Sequence, residues 1–156
     1  MATFGTFVDG ATLKAAELND LLKPTSFTPV LRQSNTVTTQ ATQRVGLYQV
    51  VNKLVFVQVN AVVNAGSSGT ANNRIEVDLP VTAAANSVRV IGCGYIEDDS
   101  AADVFRVAVV QVSTTRVAFL AEASTSLSTY VGQTGGPTLT LAELDSVGFS
   151  IVYEAA

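Results

Sequence analysis

The sequence predicts an all-β protein, an antiparallel β-sandwich of jelly-roll type preceded by one short N-terminal helix. Three observations carry that prediction. About eight short runs rich in Val, Ile, Phe, Tyr and Thr recur at regular spacing between Gly, Asn, Ser and Thr turns. Helical periodicity is confined to residues 1–23, and no alternation of strand and helix suggests a parallel sheet. Residues 46–64 are β-branched and aromatic without a proline, and read as a hairpin about which the rest is organised. At 156 residues the chain suits one domain, with residues 1–23 as an attachment segment and 24–156 as the sandwich.

The elements follow in order. Ala11, Ala15, Leu18 and Leu22, with Leu21 beside them, fall on one helix face. Thr12 is the candidate N-cap, and Pro24 closes the run. A helix of roughly ten residues is marginal alone in water, so its stripe needs a dock. Phe4, Phe7 and Val8 add apolar surface upstream. Two docks compete, the chain's own sandwich and a neighbouring protein, and the second is preferred.

Asn52-Lys53 interrupts the central run, and Asn tolerates the left-handed backbone of a tight turn. Folding there sets Val51 against Leu54, Val50 against Val55, Gln49 against Phe56 and Tyr48 against Val57. One face is then Tyr48, Val50, Val55, Val57, Val59, Ala61 and Val63, a core face. The opposite face opens with Leu47, Val51, Leu54 and Phe56 and turns polar only at Gln58 and Asn60. A sheet with one wet face should alternate cleanly. Those four residues therefore need a cover, either the N-terminal segment or another copy of the chain.

Residues 25–30 read as extended, and 35–43 as an edge strand or loop. Residues 65–73 form a surface loop. Ile75, Val77 and Leu79 alternate inward against Arg74, Glu76 and Asp78, until Pro80 stops the strand. Residues 88–96 make a strand bent or bulged at Gly92 and Gly94, with Cys93 expected as a small buried hydrophobe. Residues 104–112 and 117–121 pair across 113–116. After a Ser/Thr-rich stretch at 124–129 and a turn at 132–137, Leu139 and Leu141 mark a short strand. Val147, Phe149, Ile151 and Tyr153 alternate through the last one.

Composition excludes several functions. Hydrophobic residues reach 47% while charged ones are only 14%, which suits a chain that hides surface in an assembly. No apolar run approaches the ~20 residues of a membrane helix, so no membrane insertion is expected, and residues 1–4 do not open like a signal peptide. A net charge of -4 with nine scattered basic residues argues against nucleic-acid binding. One cysteine excludes an internal disulfide framework. Without histidine there is no Ser-His-Asp or Cys-His arrangement and no common zinc site. Two carboxylate sets remain: Glu97, Asp98, Asp99 and Asp103, and the pair Glu143 and Asp145. They fall in apparent loops without a tryptophan platform, so they read as solvated loops, and their spacing matches no standard calcium loop. Residues 132–136 lack the lysine and helix of a phosphate loop. Neither an enzyme nor a cofactor is expected.

Several stretches resemble the small β-sandwich proteins of tailed-bacteriophage virions: short tail fibres, receptor-binding proteins and head fibres. Residues 7–19, Phe-Val-Asp-Gly-Ala-Thr-Leu-Lys-Ala-Ala-Glu-Leu-Asn, are similar to the opening "dG-x-x-L-t-A-x-x-L-N" by which these proteins attach to the particle. Residues 27–31 resemble the lead-in "y-t-P-t-l", residues 48–55 the hairpin "Y-x-r-v-G-x-x-V", residues 77–81 the strand end "i-x-L-P-v", and 147–155 the closing strand. Asn52 stands where the pattern has Gly, and Lys14 where it has a Thr cap. The resemblance implies a virion location after synthesis in a bacterial cytoplasm, other virion proteins as partners, and a host surface glycan as receptor. It also implies a homotrimer, with Leu47, Val51, Leu54 and Phe56 at the subunit interface. Particle attachment then falls to Phe4, Phe7, Leu13, Leu18, Leu21 and Leu22. A tail fibre is favoured over a capsid-decorating head fibre, and a free carbohydrate-binding module is the alternative from another class.

Overall fold

The structure, a computed structural model, describes residues 23–85, 90–121 and 129–156. Among them every regular element is a strand: β1 (Thr25–Ser26), β2 (Leu31–Gln33), β3 (Asn35–Val37), β4 (Thr39–Val51), β5 (Leu54–Val63), β6 (Glu76–Asp78), β7 (Val90–Asp98), β8 (Asp103–Ser113), β9 (Arg116–Ala121) and β10 (Ser146–Glu154). The helix expected within residues 1–23 lies outside the described residues, Lys23 apart.

The strands pair antiparallel in the order β1-β4-β5-β10-β7-β8-β9-β6-β2-β3. The all-β antiparallel expectation holds. Pairing runs unbroken through all ten strands, as one curled sheet in the form of a half-barrel, and draws no boundary between two sheets. Only Thr38 separates β3, last in the order, from β4, next to first, and the Asn64 amide donates to its carbonyl at 2.8 Å. Thr38 thus links the last strand of the order to the second one through a single residue.

The β4–β5 hairpin has the register predicted from its turn, Val51 opposite Leu54 through Tyr48 opposite Val57. Asn52 supplies the left-handed conformation, at φ 56°. Val55, Val57, Val59, Ala61 and Val63 are buried, as are Val147, Phe149, Ile151 and Tyr153 on β10. Strand alternation places both sets inside the curl, where Phe119 and Phe149 meet edge to face at 5.5 Å. The Tyr153 hydroxyl donates to the Val81 carbonyl at 2.8 Å, and burial pushes its pKa up to about 12.

Three details differ from the sequence reading. Cys93 is exposed, because β7 parity is set by buried Ile96, which turns Tyr95, Cys93 and Glu97 outward. Leu139 and Leu141 are buried without a regular strand. In place of a ladder partner they meet Gln33, a fully buried side chain. Its Nε2 donates to the Asn73 and Leu139 carbonyls at 2.9 and 2.8 Å, and its Oε1 accepts from the Leu141 amide at 2.9 Å. Asp145 is buried as well.

Candidate interaction surface

The outward face of β4, β5 and β10 departs from what water alone would favour. Register sets Val51 beside Leu54 and Gln49 beside Phe56, with Val152 on the far side of Phe56. Val51 is 39%, Leu54 48%, Phe56 43% and Val152 42% exposed, and Leu47 is half-buried. Scattered apolar residues are ordinary on a surface, but contiguous ones mark a contact site. The four residues predicted to need a cover are therefore brought together on one face, joined by Val152, which the reading of the hairpin alone did not reach.

Beside this patch runs a groove of about 410 Å³, with Leu47, Phe56, Ile91, Cys93 and Val152 among its walls and Pro24 at its margin. Its floor crosses the strands through the row Leu47, Gln58, Ser150 and Cys93. Small side chains at Ser150 and Cys93, between Gly92 and Gly94, keep that row low. Further along the face, Tyr95 lies over Gly148: a Cβ there would fall 2.4 Å from the ring. The Tyr95 hydroxyl faces Asn60 Oδ1 at 3.5 Å, and Arg106 is its neighbour on β8.

The other outward half of the sheet is ionic. Arg32 pairs with Asp78 at 2.8 Å, while Arg116 reaches Glu76 at 3.1 Å and Asp78 at 3.3 Å. Arg74 also pairs with Glu76 and lies over the Tyr130 ring at 5.4 Å. These partly exposed pairs are individually weak, and each of the three arginines has a carboxylate partner, with Glu76 and Asp78 each shared by two of them.

The carboxylates do not converge on chemistry. No group of three or more His, Cys, Asp or Glu able to hold a metal is found among the described residues. Asp98 Oδ1 accepts from the Ser100 hydroxyl and the Ala101 amide, tying its own turn. Asp145 is the exception to the expected solvated loop. Its Oδ1 accepts from the Asp99 amide at 3.0 Å and its Oδ2 from the Ala142 amide at 2.8 Å, so it staples the β7–β8 turn to the segment before β10. Burial raises its pKa; the two amides oppose the shift, and the charges of Asp98 and Asp99 add to it.

A raised carboxyl pKa favours the fold while the proton is on. That contribution is complete below the unfolded value and fades as pH rises through the higher folded value. Asp145→Asn keeps the shape and removes the titration, at the constant cost of one acceptor. Urea midpoints measured from about pH 4 upward should therefore show wild type losing its advantage over the variant as pH rises. A gap independent of pH would contradict this.

The predicted attachment residues Phe4, Phe7, Leu13, Leu18, Leu21 and Leu22 lie outside the described residues. Comparison with family models, with curated proteins and with solved structures finds no match.

Proposed function

We propose that the chain is a structural protein of a bacteriophage virion. It would act as a trimeric short tail fibre or receptor-binding-like subunit, held to the particle by residues 1–23, with a sandwich-like β domain projecting outward. One observation carries this reading beyond the sequence likeness: Val51, Leu54, Phe56 and Val152 form a contiguous half-exposed apolar patch. At roughly 25 cal/mol per Å², withdrawing such a patch from water favours self-association. A closed ring of three copies would use one surface repeatedly without open-ended growth.

Placement at the tail or on the capsid uses the same physical elements. A carbohydrate-binding role has one feature in its favour, the exposed Tyr95 beside Asn60 and Arg106, since sugar faces stack on aromatic rings. A glycan array with the isolated protein separates a receptor-binding or sugar-binding protein from a purely decorating one.

Light scattering should return a mass near three times 16.3 kDa for the purified chain. Val51→Lys with Leu54→Lys should reduce it to one chain without unfolding. Mass spectrometry of purified particles should then find the wild-type chain in them. A soluble monomer absent from particles would end this reading.

A further inference from the structure

We propose that the groove beside the apolar patch seats the chain's own upstream segment, with Leu18, Leu21 and Leu22 as the side chains that fill it. The argument begins at β1. Thr25 pairs with Tyr48 and Ser26 with Leu47, antiparallel, so the chain before Thr25 runs toward Gln49 and the apolar turn end of β4. Pro24 already stands at the groove margin. The segment therefore leaves the sheet at the groove rather than at a distance from it.

Reach and chemistry agree with that departure point. From β1 to β7 the order crosses β4, β5 and β10, four strand spacings or about 19 Å. The six residue steps from Leu18 to Pro24 span about 20 Å when extended and about 9 Å as a helix turn and a half, enough to cross all or half of the groove. Leu18, Leu21 and Leu22 are spaced three and four apart and present one apolar face. The groove offers Leu47, Phe56, Ile91 and Val152 to that face. A segment tethered at the groove edge also outcompetes a free copy, because tethering fixes an effective concentration near the millimolar range.

This inference does not depend on the virion reading, but it divides the labour within it. Leu18, Leu21 and Leu22 brace the segment against the sheet, leaving Phe4, Phe7 and Leu13 to reach a partner. Val51 and Leu54, outside the groove walls, stay available for contact between copies, while Phe56 and Val152 lie where groove and patch meet and serve both.

Cys93 makes the test direct, since it is the chain's one cysteine and lines the groove. The rate of Cys93 alkylation by iodoacetamide is measured in the full chain over a wide range of protein concentration. Slow labelling at every concentration is expected, made about tenfold faster or more by the triple variant Leu18→Ser, Leu21→Ser, Leu22→Ser. Circular dichroism checks that the variant still unfolds cooperatively; if it does not, the single variants Leu18→Ser and Leu22→Ser give the same readout. Rapid labelling of the wild type overturns the proposal, as does labelling that stays slow in the variants. Protection that vanishes on dilution and ignores the substitutions also overturns it, and assigns the groove to a second copy. None of these outcomes depends on particle association.

Discussion

Replacing Gln33 with leucine is expected to remove about 4 kcal/mol of stability, because a buried carbonyl, a partly buried carbonyl and a buried amide each lose a partner at roughly 1–3 kcal/mol. The side chain is fully buried and bonds residues 40, 106 and 108 positions away: Asn73, Leu139 and Leu141. It replaces a sheet ladder where the chain between β9 and β10 has no strand to pair with. Gly132, with φ near +85°, makes room for it, since a Cβ there would fall 2.6 Å from Gln33 Nε2. The measurement is a urea titration followed by circular dichroism. A fall of about 2 M in the midpoint with an unchanged slope would support the account. A loss under 1 kcal/mol would mean that the three backbone groups find water or one another, and that Gln33 is not the clamp described.

Phe119→Ala should cost a comparable amount, about 4 kcal/mol, by a different route. Phe119 is the largest of the fully buried side chains, and its ring meets that of Phe149 edge to face. Truncation removes apolar area from the core and leaves a hole that the curled sheet, bonded on both sides of β9, cannot close. Phe119→Leu, which fills most of that space, should cost under about 1.5 kcal/mol. The contrast between the two variants is the check. Equal losses would show that the ring pair matters more than the volume, and negligible losses would show that the interior collapses around the gap.

The reasons for success and failure of the sequence reading are local. The hairpin was legible because Asn52 marks its turn and β5 alternates cleanly, so a single register against the adjoining part of β4 satisfies the core face. β10 was legible for the same reason. Cys93 was not: glycines on either side carry no side chain to reveal parity, and a register irregularity between Val90 and Gly92 obscures it further. Gln33 gave no signal at all, since its partners are remote in sequence and its neighbours, Arg32 and Ser34, are as polar as those of any surface glutamine. Asp145 looked like any loop acid beside Glu143, and only the return of the β7–β8 turn onto it explains its burial. The outward apolar set could be read from alternation that fails on one face, but Val152 joined it only through strand order, which no short window of sequence contains.

The short strands at the limits of the order, and the link of β3 to β4 through Thr38, bear on how copies of the chain can associate. A broad open sheet offers two long rows of unspent amides and carbonyls, each an invitation to pair indefinitely with further molecules. Here the terminal strands of the order are β1, two residues long, and β3, three residues long, and β3 runs directly into β4. Strand-by-strand accretion therefore has little template at β1 and β3 themselves; the longer edge is that of β4 before Leu47, whose outer side no described strand pairs. Association through side chains on the faces differs from growth along that edge, because there geometry limits how many copies can join.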